Sequence, residues 1–358
     1  MTGRRVLLAA VEVAGVGSAT RDALRRRGND AHLWVIVPHP FQASHDRLLE
    51  GYRARAAAAL RAPFAFDVLH LQAGNTLAEF LDVAWARIQP RRRPVVVMHY
   101  WGDDVRLRLR TGQIPIGADA DWRNQQLRNE RLMRRRLRLA ARLCDAAIVS
   151  DLELADHARQ WFRTVYLVPT PLELEGLPQA RPAERPVARI VHAPSHRLKK
   201  GTDTIVSAVE RLSRQRPVEL RLLERMPRRD VWNAIADADI VVDQLGSQTT
   251  GVLALETMAI GRPVMVQYQP ELLAPFARDT PAIAVSPETL EDEMARLLDD
   301  PDRRRRIGSA GRAFVRRVHD SDAVAAAIEH VYDDARSAGP GLFEATPNGV
   351  RPLASGAA

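Results

Sequence analysis

The chain has 358 residues, 46% of them hydrophobic, and a formal charge of +8 with a pI near 10.4. That length allows two domains, each with its own core. No apolar run approaches the roughly 20 residues needed to span a bilayer, and the single cysteine, Cys144, excludes an internal disulfide and fits a reducing, cytoplasmic setting.

Strand-like and helix-like segments alternate from the start. The N-terminus imitates a signal peptide, but Glu12 interrupts its apolar stretch, so residues 6–13 read as a first buried strand entering a Gly-rich turn and a helix over 19–27. A strand at 32–37 precedes a helix at 47–61, and a strand at 68–71 precedes a helix at 77–88. A strand at 95–100 leads into an Arg-rich helix at 122–142, whose leucines 127, 132, 137, 139 and 143 form an apolar stripe. Such a helix is either a solvated face or a surface for an anionic membrane or other polyanion. Strands at 146–150 and 165–168 flank a helix at 152–161. The proline-rich stretch that follows lacks periodicity and reads as a linker over 173–187.

A second alternation then begins. Strands at 189–193, 218–223, 240–242, 263–266 and 283–285 are interleaved with helices at 202–214, 228–236, 249–260, 288–298 and 301–318. The expected organisation is an N-terminal domain over 1–172, a C-terminal domain over 188–318, a last helix within 319–336 and a tail over 337–358. The Gly-, Pro- and Ala-rich tail is expected to lack order.

Parallel sheets place ligands at the carboxyl ends of their strands, where helix N-termini offer free N–H groups. Three loops fall there. Gly15 and Gly17 follow the first strand and either admit a ligand or make a plain tight turn. The loop 192–203 combines His192, His196, Arg197, Lys199 and Lys200 before Gly201 and Thr202, with Thr202 as a candidate cap. Gln248, Thr249, Thr250 and Gly251 precede a helix whose only charge, Glu256, sits among Val252, Leu253, Leu255 and Ile260. A carboxylate in that setting needs a hydrogen-bonding partner, and a ligand is one candidate.

The segments HRLKKGTDTI (196–205) and GSQTTGVLALETMAIGRPV (246–264) resemble the donor half of the GT-B glycosyltransferases of the retaining family-4 kind. AGVGSATRDALRRRG (14–28) resembles that family's Gly-rich opening, and HYWGDDVR (99–106) its His-containing loop. The resemblance implies two Rossmann-like parallel-sheet domains facing each other across a cleft, with a C-terminal helix after the second. It implies transfer of a sugar, with retention, from a nucleotide-diphosphate sugar to a hydroxyl of a glycan, a lipid-linked acceptor or a natural product. Lys200 and Arg197 would meet the diphosphate, with Gly15, Gly17, Thr249, Thr250, Gly251 and Val252 around the donor. Glu256 would accept from the ribose hydroxyls, and His99 would face the reacting sugar. No cofactor, metal or nucleic acid is expected, and a peripheral contact with the inner membrane face is permitted. Two departures stand out: Gln248 replaces the usual glutamate, and Pro194 and Ser195 stand where the family carries an arginine. They leave a silent nucleotide-sugar-binding protein, or an epimerase of the same fold, as alternatives.

Overall fold

The computed structural model describes residues 3–38, 44–89, 93–112, 114, 115, 117–181 and 185–353. It divides into two compact units. The first comprises Met1–Gln113, Ala120–Pro171 and Ser321–Ala358; the second comprises Ile114–Asp119 and Leu172–Asp320.

The first unit runs β1 (Arg5–Ala10), α1 (Val16–Arg26), β2 (Asp30–Val35), β3 (Arg47–Leu48), α2 (Gly51–Ala65), β4 (Val68–Gln72), α3 (Leu81–Arg87), β5 (Val95–His99), α4 (Arg108–Thr111), α5 (Ala120–Leu143), β6 (Ala146–Val149), α6 (Leu152–Arg159) and β7 (Thr164–Leu167). The second runs β8 (Ala188–His192), α7 (Arg197–Lys200), α8 (Thr202–Ser213), β9 (Val218–Leu222), α9 (Arg228–Ala236), β10 (Ile240–Val242), α10 (Val252–Ile260), β11 (Val264–Val266), β12 (Ile283–Ala284), α11 (Leu290–Asp299) and α12 (Pro301–Val318). The chain then returns to the first unit with α13 (Ser321–Asp334), β13 (Gly341–Thr346) and β14 (Gly349–Pro352).

Among the described residues the sheet of the first unit has the order β14-β13-β7-β6-β5-β4-β1-β2-β3, parallel except for the last hairpin, and that of the second β12-β11-β10-β8-β9. The strands are apolar on both faces because helices cover both. Along β10, Ile240 and Val242 join one core with Ile205, Met265 and Met294, while Val241 joins the other with Ala254, Leu255 and Met258. Each order reverses once, between β1 and β4 and between β8 and β10, which puts one crevice in each unit at the carboxyl ends of those strands.

Helix α10 stops where Gly261 takes a left-handed conformation (φ 94°) and Pro263 follows, as the sequence punctuation predicts. The opposite, amino-terminal edge of the second sheet gathers helix C-termini. Arg262 donates to the Ala236 carbonyl at the end of α9, Arg312 to Ile260 at the end of α10, and Arg304 to Leu297 and Leu298 in α11. These arginines line a cavity of about 440 Å³ that lies away from the crevice of that sheet.

The expectation for the chain's end needs correcting. Residues 341–352 are not a tail without order: β13 extends β7 in parallel, β14 folds back on β13, and Phe343 stacks on Tyr166 at 5.4 Å. Residues 354–358 lie outside the described residues. Helix α13 supplies Val324, Ile328, Val331 and Tyr332 to the same core as Leu8, Leu24 and Leu33. Truncation after residue 338 uncovers the β7 edge and Tyr166, so the urea midpoint should fall by an amount equivalent to about 2–4 kcal/mol for the first unit.

Candidate donor site and the carboxyl edge of the first sheet

In the second unit, the loops after β8 and β10 touch backbone to backbone. The Leu245 amide donates to the Lys200 carbonyl at 3.0 Å, and a Cβ on Gly246 would lie 2.0 Å from the Lys199 carbonyl oxygen. Only glycine permits that approach. Lys200 is thereby carried over the end of β10, where its ammonium donates to Asp243 Oδ1 at 2.8 Å and Gln244 Oε1 at 2.7 Å. Asp243 is fully buried, and its other oxygen, Oδ2, has no hydrogen-bond partner. An ammonium has three donors, and two are used here. The chain's 52 cationic side chains include just two lysines, 199 and 200. A compact ammonium, rather than an arginine fork, fits separate acceptors such as these.

Gly251, and not Thr249 or Thr250, is the residue that begins α10, and no side chain caps it. The first-turn amides of Val252, Leu253 and Ala254 have no acceptor within the helix. A Cβ on Gly251 would lie 3.2 Å from Asp243 Oδ2 and 3.8 Å from Lys200 Nζ, so the cation and the helix N-terminus converge on one place. Gln244 ties the loop together by donating to the Thr249 carbonyl at 3.1 Å, and the Gln248 carbonyl accepts from Gln269 at 2.9 Å.

Other members of the basic loop serve the fold. His192 is fully buried; its Nδ1–H donates to the Val242 carbonyl at 2.8 Å, which leaves Nε2 to accept from the Thr202 hydroxyl at 2.9 Å. Thr202 is therefore not the cap of α8; Gly201, left-handed at φ 69°, takes that position. Arg197 is paired with Asp203 at 2.7 Å and with Glu224 at 3.3 Å.

Glu256 has a partner within the protein. Arg228, at the start of α9, donates to its Oε1 at 2.6 Å and lies over the Trp232 ring at 4.9 Å. Burial raises the Glu256 acid, and Arg228 and Trp232 oppose that rise. Both Arg228 contacts fall on Oε1. Sequence periodicity could not find this pair, because α9 and α10 are separate elements and Arg228 reads as one arginine among many.

In the first unit, the anion at the N-terminus of α1 is the chain's own. Glu12 accepts from the amides of Gly17 at 3.1 Å and Ser18 at 2.8 Å, and Gly17 admits it because a Cβ there would sit 2.7 Å from Glu12 Oε2. Gly15 and Gly17 thus form the turn that opens α1, and the Gly17 amide is satisfied by Glu12 within the chain. Gly15 is the left-handed N-cap, φ 81°. His99 ends β5 fully buried, stacked on Trp101 at 3.7 Å, with Nδ1 against His70 Nε2 at 3.1 Å. Asp104 caps its own loop, accepting from the Trp101 and Gly102 amides. Among the described residues no cluster of three His, Cys, Asp or Glu could hold a metal ion, and no helix is long and apolar enough to cross a membrane.

Residues 186–330 match the family model described as "Glycosyl transferase-like". Among solved structures, the chain is similar to the sucrose-phosphate synthase of Thermosynechococcus elongatus, at 17% identity over 92% of this chain and 98% of that one, TM-score 0.64. It is similar to Anabaena HepE in complex with UDP and glucose, at 13% identity over 92% and 99%, TM-score 0.65. A glycosyltransferase of Rickettsia africae matches at 10% identity over 93% and 98%, TM-score 0.60. No curated protein matches the chain. The chain has the GT-B fold, and its segment 186–330 is glycosyl transferase-like.

Burial pushes His70 down to about 3 and His99 well below the usual histidine range, with His70 adding to the second shift. A depressed histidine contributes stability that is present above the unfolded value near 6.5 and is lost as pH falls toward the folded value. Between pH 6 and 4, unfolding free energy of the wild type should therefore fall faster than that of His70→Gln, by about 1.4 kcal/mol per pH unit. Parallel slopes in urea titrations would show that the imidazole is not buried in its neutral form.

Proposed function

We propose that the protein is a retaining glycosyltransferase whose donor, a nucleotide-diphosphate sugar, is held by the crevice between β8 and β10. The observation that carries this reading is the convergence of Lys200 Nζ with the uncapped N-terminus of α10 at Gly251. A diphosphate supplies the oxygens that both lack: one for the third ammonium hydrogen, others for the amides of Gly251, Val252 and their neighbours. Thr249 and Thr250 flank that position, and Gln248 stands where the transferred sugar would lie. Glu256 would meet the ribose through Oε2, since Arg228 holds Oε1. HepE was solved with UDP and glucose, which makes uridine diphosphate the first nucleotide to try.

As the glycosidic bond breaks, negative charge builds on the departing diphosphate. Lys200 and the α10 amides stabilise it without reorganising, because Asp243 and Gln244 already fix the ammonium in place. On the family's pattern the departing phosphate takes the acceptor's proton on the same face of the sugar, with no metal and no protein base assigned. Arg197 is assigned a second-rank role at the phosphates, since reaching them means leaving Asp203 and Glu224. His99 would address a sugar substrate at the carboxyl edge of the first sheet.

A lipid-linked acceptor, with peripheral contact at an anionic membrane, is favoured by a patch on the first unit. Leu60 and Phe64 on α2, with Leu81, Trp85 and Ile88 on and after α3, are all exposed, and Phe64 meets Trp85 edge-on at 6.0 Å. Arg53 and Arg61 on α2 are exposed and in no ion pair among the described residues. Apolar side chains flanked by unpaired arginines suit an anionic headgroup region, and these helices form a more apolar surface than the Arg-rich α5.

Uridine diphosphate at 100 times its dissociation constant should stabilise the second unit by about 2.7 kcal/mol, read as a thermal shift. Lys200→Ala should cut turnover by about 10²–10³ and weaken ground-state donor binding much less. If no uridine, guanosine, adenosine or thymidine diphosphate shifts the transition at millimolar concentration, the donor site is wrongly placed. For the membrane contact, the protein should sediment with phosphatidylglycerol vesicles and not with phosphatidylcholine vesicles, and Leu60→Ser with Phe64→Ser should abolish it. Equal sedimentation of this double variant would remove the patch from consideration.

A further inference from the structure

At the carboxyl edge of the first sheet, Gln72 and His99 are register partners at the ends of β4 and β5, and Trp101 lies on the His99 ring. Each carries a buried polar atom without a hydrogen-bond partner: Gln72 Oε1, His99 Nε2 and Trp101 Nε1. Native interiors leave few such atoms, and three on touching residues call for an explanation. Glu12 borders the same place, because a Cβ on Gly17 would sit 2.7 Å from Glu12 Oε2 and 3.1 Å from Gln72 Nε2.

What His99 offers there depends on which ring nitrogen carries its proton, and hydrogen-bond bookkeeping decides this. The Tyr332 hydroxyl, on the returning helix α13, lies 2.7 Å from His70 Nδ1 and has no other partner among the described residues. A buried phenol must place its single proton, and His70 Nδ1 is the one acceptor in reach, so Nδ1 is bare. A neutral imidazole then carries its proton on Nε2, and that N–H points at His99 Nδ1, 3.1 Å away. His99 Nδ1 is therefore also bare, and its proton lies on Nε2, the atom with no partner. The burial that keeps both rings neutral keeps the phenol protonated as well.

We infer that Tyr332 and His70 are positioning residues: together they hold His99 as an Nε2–H donor toward a hydroxyl oxygen of a sugar substrate. A hydroxyl fits because it both accepts and donates, answering His99 Nε2–H and Gln72 Oε1 with one group. An anion fits poorly, since Glu12 already supplies a carboxylate beside Gln72. This inference rests on the glycosyltransferase reading for the identity of the ligand, but the relay itself does not.

The relay is read directly by two-bond ¹H–¹⁵N correlation on the full chain labelled at histidine, which reports the protonated nitrogen of each ring. The expected pattern is Nε2–H on both His70 and His99. Tyr332→Phe removes the first donor, so the His99 signals should shift toward a tautomer mixture and sugar-transfer turnover should fall about tenfold. Nucleoside diphosphate affinity should not change, because that site belongs to the second unit. His70→Gln, whose amide both accepts and donates, should keep more turnover than His70→Leu when both remain folded. An Nδ1–H on His99 in the wild type, or unchanged His99 signals in Tyr332→Phe, overturns the relay. Correct tautomers in a wild type that turns over no sugar nucleotide would sustain the relay and refute the transferase reading instead.

Discussion

Asp243 directly follows a three-residue strand with its carboxylate fully enclosed, and an enclosed carboxylate demands a cation. Lys200 answers it, and much of the second unit's upper edge follows from that pairing. To bring the ammonium over β10, the α7 turn must lie against the loop after β10, which needs a residue without a Cβ at Gly246. That contact sets where the loop ends and hence where α10 begins. The result is a fixed positive centre whose charge is balanced at its base by Asp243 and open at its tip. Truncating Lys200 would strand the carboxylate as well as remove the cation, so an effect on stability should accompany any effect on chemistry.

The two edges of the second sheet are electrostatic opposites built from the same parts. Parallel strands and their crossover helices aim N-termini at one edge and C-termini at the other. At the edge near Gly251 the partial positive charge is met by no side-chain cap. At the far edge the carbonyl ends of α9, α10 and α11 are met by Arg262, Arg312 and Arg304. The protein satisfies one set of helix termini itself and leaves the start of α10 without a side-chain cap. An arginine-lined cavity is thus explained by backbone carbonyls without invoking a bound anion.

Local patterns made the strands, the two-sheet plan and the Glu256 helix legible, because each rests on spacing or punctuation within some twenty residues. Partners supplied by another element were not legible. Arg228 finds Glu256 across 28 positions and His70 finds Tyr332 across 262, and no periodicity encodes either. His70 sits inside an apolar strand, where a histidine reads as core. The β13–β14 hairpin is hidden for a related reason: its residues are strands by virtue of the β7 edge, and their own Gly- and Pro-rich composition argues the other way. In the sequence Glu12 interrupts an apolar run, and its distance from Gly17 suits a side chain folding back on a helix start.

The return of the chain to its first unit sets an order on synthesis. When Pro171 leaves the ribosome, the first sheet still lacks α13, so the face that Val324, Ile328, Val331 and Tyr332 will cover is bare. The second unit, nearly continuous in sequence, has all its strands and helices by Asp320 and can close at once. The earlier-made half must therefore wait, with apolar surface open, until α13 arrives. Unit boundaries and birth order run opposite to one another in this chain, and a nascent chain halted before residue 321 would be a folded C-terminal half tethered to an unfinished N-terminal one.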